Sequence, residues 1–259
     1  MDPFKKILYE VKEGIAVICI DQLQDRNRMD RATYLEAVEA LRISQEDPGV
    51  TAVIFTGKGD YFVTGGRMDG YPGGEMMEMR GFADACAGLM FQMYDMRKPL
   101  IAAVNGLCVA GGMMILDACD LAVASETSQF GFPELERGNF PVLALAVAQR
   151  SLPKKRVFEL SYLSRLIDAK TALGWNLIND IAPQEKVLET AFEWAKTISS
   201  RSLLTAGMGR EAYHKMQGMS QVESLEYAKN VLCCMLATHD AQEVDIALKE
   251  QRPPVLKGY

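Results

Sequence analysis

The sequence predicts an α/β fold, with an α/β core over residues 1–183 and a helical module over residues 184–259. Two patterns point there. Short apolar runs alternate with helix-periodic segments as far as Pro183, and only helix-periodic segments follow. In the middle of the chain, Ile101 to Val104 reads as a buried strand that bends at Asn105-Gly106 and enters a helix at Gly111-Gly112. The 259 residues, 49% hydrophobic and 24% charged, suit one large domain or a domain with a small extension.

From the N-terminus, Ile7 to Val11 and Ile15 to Ile20 flank Glu13-Gly14 and predict a β-hairpin. A polar loop follows from Asp21 to Asp30. Asp30 is placed to cap a helix over Ala32 to Ser44, which Asp47-Pro48-Gly49 stops. Ala52 to Phe55 reads as a buried strand. Tyr71-Pro72-Gly73-Gly74 marks a mobile loop, and Met76 to Met96 a helix whose methionines are core gap-fillers. Leu121 to Ala124 is a further strand, and Gln129 to Leu135 an irregular loop holding one carboxylate. Short helices are expected over Leu143 to Arg150, Arg156 to Leu163 and Ala169 to Gly174, then a strand over Asn179 to Ala182. Helices over Glu185 to Ser200, Leu203 to Met216, Val222 to Ala237 and Ala241 to Glu250 complete the chain.

Composition removes several classes of function. A net charge of −6 without a basic stripe argues against nucleic acid and acidic membranes as partners. No apolar run reaches membrane-spanning length, and the first residues carry no apolar signal region. The six cysteines lack metal-ligand spacing and lie mostly in apolar runs, as reduced thiols do. A reduced, cytoplasmic protein without metal is expected. The two histidines, His214 and His239, stand near no Ser or Cys motif, which argues against a Ser-His or Cys-His hydrolase.

The helix start at Gly111-Gly112 can receive an anion, because first-turn amides lack internal partners and the helix dipole adds positive charge. Alone it is equally a tightly packed strand-to-helix turn. It gains meaning from its order with other motifs: Arg26-Asn27-Arg28-Met29-Asp30, Phe62-Val63-Thr64-Gly65-Gly66, Asn105-Gly106 to Gly112, Cys119-Asp120, and Phe130-Gly131-Phe132-Pro133-Glu134. This series resembles the crotonase (enoyl-CoA hydratase/isomerase) superfamily over nearly the whole chain. The C-terminal Arg252-Pro253 and Lys257-Gly258 are similar to its closing segment.

The resemblance implies a spiral of ββα units, a C-terminal trimerisation module giving a homotrimer or dimer of trimers, and an acyl-CoA substrate with no separate cofactor. It implies that the backbone amides of Gly66 and Gly111 form an oxyanion hole. Glu134 falls on the family's acid/base position in the Pro-Glu loop, after Pro133. The first carboxylate of the hydratases falls on Met114, which cannot carry a proton. One carboxylate beside an enolate can take a proton from one carbon and return it to another, as a double-bond isomerase does. An apolar setting of Met113, Met114 and Phe132 would raise the Glu134 pKa.

The resemblance also puts Arg26, Arg28, Thr64, Arg67, Met68, Met114, Pro133, Val142 and Lys257, with Arg252 a further candidate, against the substrate or its CoA moiety. Arg67 stands where the family commonly has Asp. It either meets a substrate carboxylate or CoA phosphate, or faces solvent. Val142 occupies a place where some dienoyl isomerases carry an acid, and Phe140 to Ala144 replaces a frequent Pro-Gly-x-Gly. Asp117, one helical turn beyond Met114, is read as structural. An isomerase is the leading reading. An atypical hydratase and a decarboxylase of the polyketide β-branching type, on CoA or an acyl carrier, stay open, and a non-catalytic or RNA-binding member comes last.

Overall fold

A computed structural model describes residues 4–69, 71 and 73–258. Pro72, in the expected mobile loop, and Gly70 beside it lie outside the described residues, as do the first three residues and Tyr259. The chain opens with strands β1 (Ile7–Lys12) and β2 (Ile15–Ile20), antiparallel in register Ile7 to Ile20. Glu13 and Gly14 both take positive φ, the geometry a two-residue hairpin requires. Helix α1 (Arg31–Glu46) begins where Asp30 accepts the Thr33 amide at 2.9 Å, as the cap signal predicts.

A unit of long strand, short strand and helix then recurs. It runs β3 (Ala52–Gly57), β4 (Tyr61–Val63), α2 (Met76–Asp95), then β5 (Leu100–Val104), β6 (Leu107–Val109), α3 (Gly111–Ala118). The third pass has β7 (Leu121–Ser125) and β8 (Gln129–Gly131), followed by a 3-10 turn over Pro133–Arg137. Next come α4 (Val142–Ala148), α5 (Lys154–Leu163), β9 (Ile167–Asp168), α6 (Ala169–Gly174) and β10 (Asp180–Ala182).

The long strands, with the three-residue β10 at one edge, form a six-stranded sheet in the order β1-β2-β3-β5-β7-β10, parallel from β2 onward. The short strands form a second sheet, β4-β6-β8-β9. This alternation between sheets is the ββα repeat that the resemblance implies. The second sheet corrects one expectation: Gln129 to Leu135 is not an irregular loop but β8 followed by the 3-10 turn. A strand of two or three residues cannot display a period-2 pattern. It exists because a neighbour pairs with it.

Beyond Pro183 the helices are α7 (Val187–Ser199), α8 (Leu203–Met216), α9 (Gln221–Leu236) and α10 (His239–Glu250). Val187, Ala191 and Ala195 of α7 cover Ile15, Ala52, Ile54, Ile101, Ala103 and Val123 on one face of the large sheet. The opposite face carries the main core. Burial on both faces explains why β3 and β5 read as continuous apolar runs. Helix α9 buries none of its residues within this chain and exposes Val222, Leu225, Leu232 and Leu236. No helix among the described residues is long and apolar enough to cross a membrane, and no metal-type cluster of His, Cys, Asp or Glu occurs among them. All six cysteines are free thiols.

Candidate active site

The site begins with two loops that carry little regular structure and are held by side chains. Arg26 and Asn27 are both left-handed, with φ of 55° and 56°. This turns the Asn27 side chain inward, where it is fully buried. Its Nδ2 donates to the carbonyls of Tyr61 at 2.7 Å and Lys58 at 3.0 Å, and its Oδ1 accepts the Gln22 amide at 3.0 Å. The Thr64 hydroxyl donates to the Arg26 carbonyl at 2.6 Å. Met29 then bridges the second loop. Its N–H donates to Gly65 O at 2.9 Å, and its carbonyl accepts the Arg67 amide at 2.9 Å. Because the neighbours of Gly66 supply that bridge, the Gly66 N–H is turned to the other side of the strand.

The central turn meets this loop directly. The Asn105 side chain accepts the Gly57 amide at 3.1 Å and donates to Gly59 O at 2.5 Å, tying the end of β5 to the turn after β3. Ala110 has a φ of 54° and sends the chain into α3, whose N-terminus has no side-chain cap. A Cβ on Gly112 would overlap the Val63 carbonyl, so α3 starts hard against β4. A Cβ on Gly111 would lie 3.5 Å from Gly65 Cα and 2.8 Å from the Tyr34 hydroxyl. A Cβ on Gly65 (φ 102°) would in turn lie 2.8 Å from Ala110 Cβ and 3.8 Å from Gly111 N, so the loop that carries Gly66 packs against the start of α3.

Glu134 approaches from the 3-10 turn that Pro133 opens. Phe132 before it is fully buried, and Gly138 (φ 70°) closes the turn. Glu134 is half-buried, and its Oε2 is buried with no hydrogen-bond partner among the described residues. Burial raises the carboxyl to about 7, against opposing pulls from its own backbone N–H and from Arg137. Met113 and Met114 are buried in α3. Asp117, further along α3, is half-buried and raised by burial, with the Ser151 hydroxyl opposing.

The basic residues are partly committed to protein partners. Arg28 donates from Nε to Asp25 at 2.9 Å, with a second Arg28–Asp25 bond from Nη2, and from Nη1 to Asp69 at 3.1 Å. Arg67 lies 3.6 Å from Asp25 and 3.5 Å from Asp69. Two guanidiniums and two carboxylates thus form a neutral cluster between the loops, and Arg67 does not simply face solvent. Met68 is exposed, with its Sδ 3.7 Å from Asn139 Nδ2 on the loop after Glu134. Val142 heads α4 and is exposed. The Lys257 amide donates to Asp240 at 2.7 Å, and Arg252 is paired with Glu243 and Glu250.

A half-buried carboxyl with no partner among the described residues can carry a proton, and the free amides of a helix start can stabilise an oxyanion. The family model for enoyl-CoA hydratase/isomerase matches residues 10–259. The chain belongs to the enoyl-CoA hydratase/isomerase family. Among its relatives, a Thermus thermophilus protein described as "Putative enoyl-CoA hydratase" is 30% identical over 254 residues, covering 95% of this chain and 99% of that one. An enoyl-CoA hydratase structure from Bacillus anthracis has a TM-score of 0.92 at 25% identity, covering 98% of this chain and 100% of that one. Human enoyl coenzyme A hydratase domain-containing protein 3 matches in fold, with a TM-score of 0.93 at 23% identity over 97% of this chain and 100% of that one.

Within this enoyl-CoA hydratase/isomerase fold, the sequence names Gly66, Gly111 and Glu134 as candidates. It passes over Tyr34 and Phe82, whose contacts back those glycines. Both occur as apolar positions of ordinary helices, and nothing local sets them apart.

Proposed function

We propose that this enzyme shifts a carbon–carbon double bond in an enoyl thioester of coenzyme A or an acyl carrier, with Glu134 as its one proton carrier. The Gly66 and Gly111 N–H groups donate to the thioester oxygen. Glu134, ionised, takes a proton from the carbon next to the thioester. The electron pair of the broken C–H bond moves into the carbonyl, giving an enolate held by the two amides. The pair then returns through the conjugated chain, and the protonated Glu134 delivers the same proton two carbons further along. No water, metal or redox group enters, and CoA is part of the substrate.

The observation that carries this reading is the Glu134 carboxyl, buried at Oε2, without a partner and raised to about 7, while the residue in the place of a second acid is the buried Met114. A carboxyl near 7 can act as base and acid in turn at neutral pH. The printed name of the Thermus relative favours hydration as the second reading. That would require another group to hold the water. The exposed apolar face of α9 supports self-association through the C-terminal helices as part of the same proposal.

The test is a panel of 2-enoyl, 3-enoyl, dienoyl and glutaconyl thioesters followed by mass and ultraviolet absorbance. Isomerisation leaves the mass unchanged and alters the chromophore. Gain of water would establish the hydratase instead, and loss of carbon dioxide a decarboxylase. Glu134→Gln is expected to bind the thioester and not turn it over.

A further inference from the structure

Gly66 and Gly111 are backed by one aromatic pair. Tyr34 of α1 and Phe82 of α2 meet edge to face, with ring centroids 5.7 Å apart and planes at 82°. Phe82 reaches under Gly66 so closely that a Cβ there would lie 2.5 Å from its Cζ. Tyr34 reaches under Gly111, where a Cβ would lie 2.8 Å from its hydroxyl oxygen. Tyr34 is 1% and Phe82 8% exposed, and Tyr71 packs on Phe82 with centroids 5.3 Å apart. Neither ring is a loose side-chain end that yields at no cost.

We infer that Tyr34 and Phe82 are positioning residues for the reaction: one rigid aromatic unit that sets the spacing and orientation of the Gly66 and Gly111 amides. The inference rests on the proposed role of those amides. Neither loop is held in place at its glycine by a side chain of its own. Glycine has no Cβ to limit its backbone, so the limit comes from what is packed against its Cα. Here the packed groups are two parts of one edge-to-face pair. A shift of either helix therefore moves both amides together and keeps their separation. The same contact makes glycine at 66 and phenylalanine at 82 mutually dependent, since a methyl at 66 needs the space the Phe82 ring fills. An alanine there would push the ring or the loop, and a misplacement of about 1 Å can cost on the order of 100-fold in rate.

The experiment uses the full chain and two readouts. One is kcat and KM for a 3-enoyl-CoA. The other is the infrared carbonyl stretch of bound, isotope-labelled butanoyl-CoA, which falls in frequency when donors polarise the carbonyl. Wild type is expected to show the lowered stretch. Gly66→Ala should lose most of it and drop kcat roughly tenfold or more, with KM little changed. Adding Phe82→Leu to Gly66→Ala should restore part of both, because the shorter side chain makes room for the methyl. Tyr34→Phe, which removes the atom against Gly111, should weaken the shift at an unchanged melting temperature. If wild type shows no lowered stretch, the amides are not the donors, and the inference falls with that reading. If wild type shows it but Gly66→Ala keeps full activity, or Phe82→Leu restores nothing in a folded double variant, the amide reading stands and the positioning role is overturned.

Discussion

Arg210 of α8 places its Nε 2.9 and 2.8 Å from the two carboxylate oxygens of Asp120, a residue 90 positions earlier in the chain. The same guanidinium donates to the carbonyls of Met93 at 2.8 Å, Tyr94 at 3.3 Å and Met96 at 2.5 Å. Asp120 also accepts the Leu100 amide at 2.7 Å, at the start of β5. One buried cation therefore joins the helical module to the strand that leads into the site. Replacing it with Met strands those acceptors. We expect Arg210→Met to cost about 3 kcal/mol or more in urea unfolding. Arg210→Lys should recover little, because an ammonium lacks the planar fork that serves four residues at once.

The Asn27 amide faces the carbonyls of Lys58, Tyr61 and Phe62. Asn27→Ala leaves them without their donor and should destabilise by ~1–3 kcal/mol. Asn27→Asp should be at least as damaging near neutrality, since it turns a carboxylate oxygen toward carbonyl oxygens. Both variants release the loop that bridges Gly66, so kcat should fall beyond what unfolding at the assay temperature explains. Thermal melts beside steady-state kinetics check this.

Glu134 gives the pH dependence of the proposed reaction. The step that forms the enolate needs the ionised carboxyl, so kcat/KM should rise with pH and level off above about 7, where burial has placed its titration. Glu134→Gln should abolish that ionisation and lower kcat by roughly 100- to 10,000-fold. A rate profile already flat between pH 5 and 8 in wild type would remove Glu134 as the base.

The same carboxyl makes stability depend on pH in the opposite sense to an ion-paired acid. Its folded pKa is about 7, above the ordinary value of 4.5. The folded state therefore holds more protons between those two values, and stability is full below the unfolded pKa and falls as pH rises toward 7. The penalty above 7 is on the order of 3 kcal/mol. Glu134→Gln cannot ionise, so it should melt higher than wild type at pH 8 and close to it at pH 4. Calorimetry at the two pH values reads the difference.

Much of the local structure around the candidate site was legible because its signals are local. Glu13-Gly14, the Asp30 cap and the glycine turns encode their geometry within a few neighbouring residues, and the structure places each as expected. Pro133-Glu134 marks the candidate acid, but not its setting. Its rise to about 7 comes from burial that residues distant in sequence create. Likewise the resemblance puts Arg28 and Arg67 against the substrate by their place in the motifs, with solvent the alternative for Arg67. Whether a guanidinium is available depends on which carboxylates sit beside it, and here Asp25 and Asp69 do.

The sequence by itself determined the order of the main elements, the capped helices and the two glycine turns, and it named Glu134 and Met114 as candidates. Tertiary structure alone decided the four-stranded second sheet, the Arg210–Asp120 joint and the Tyr34–Phe82 pair beneath the two glycines. The division follows from how far each interaction reaches. Backbone preference and capping act over a few residues and leave a pattern there. A strand of three residues, a buried ion pair and an aromatic contact are each formed by partners 20 to 90 positions apart, which only the closed loops of the folded chain bring together.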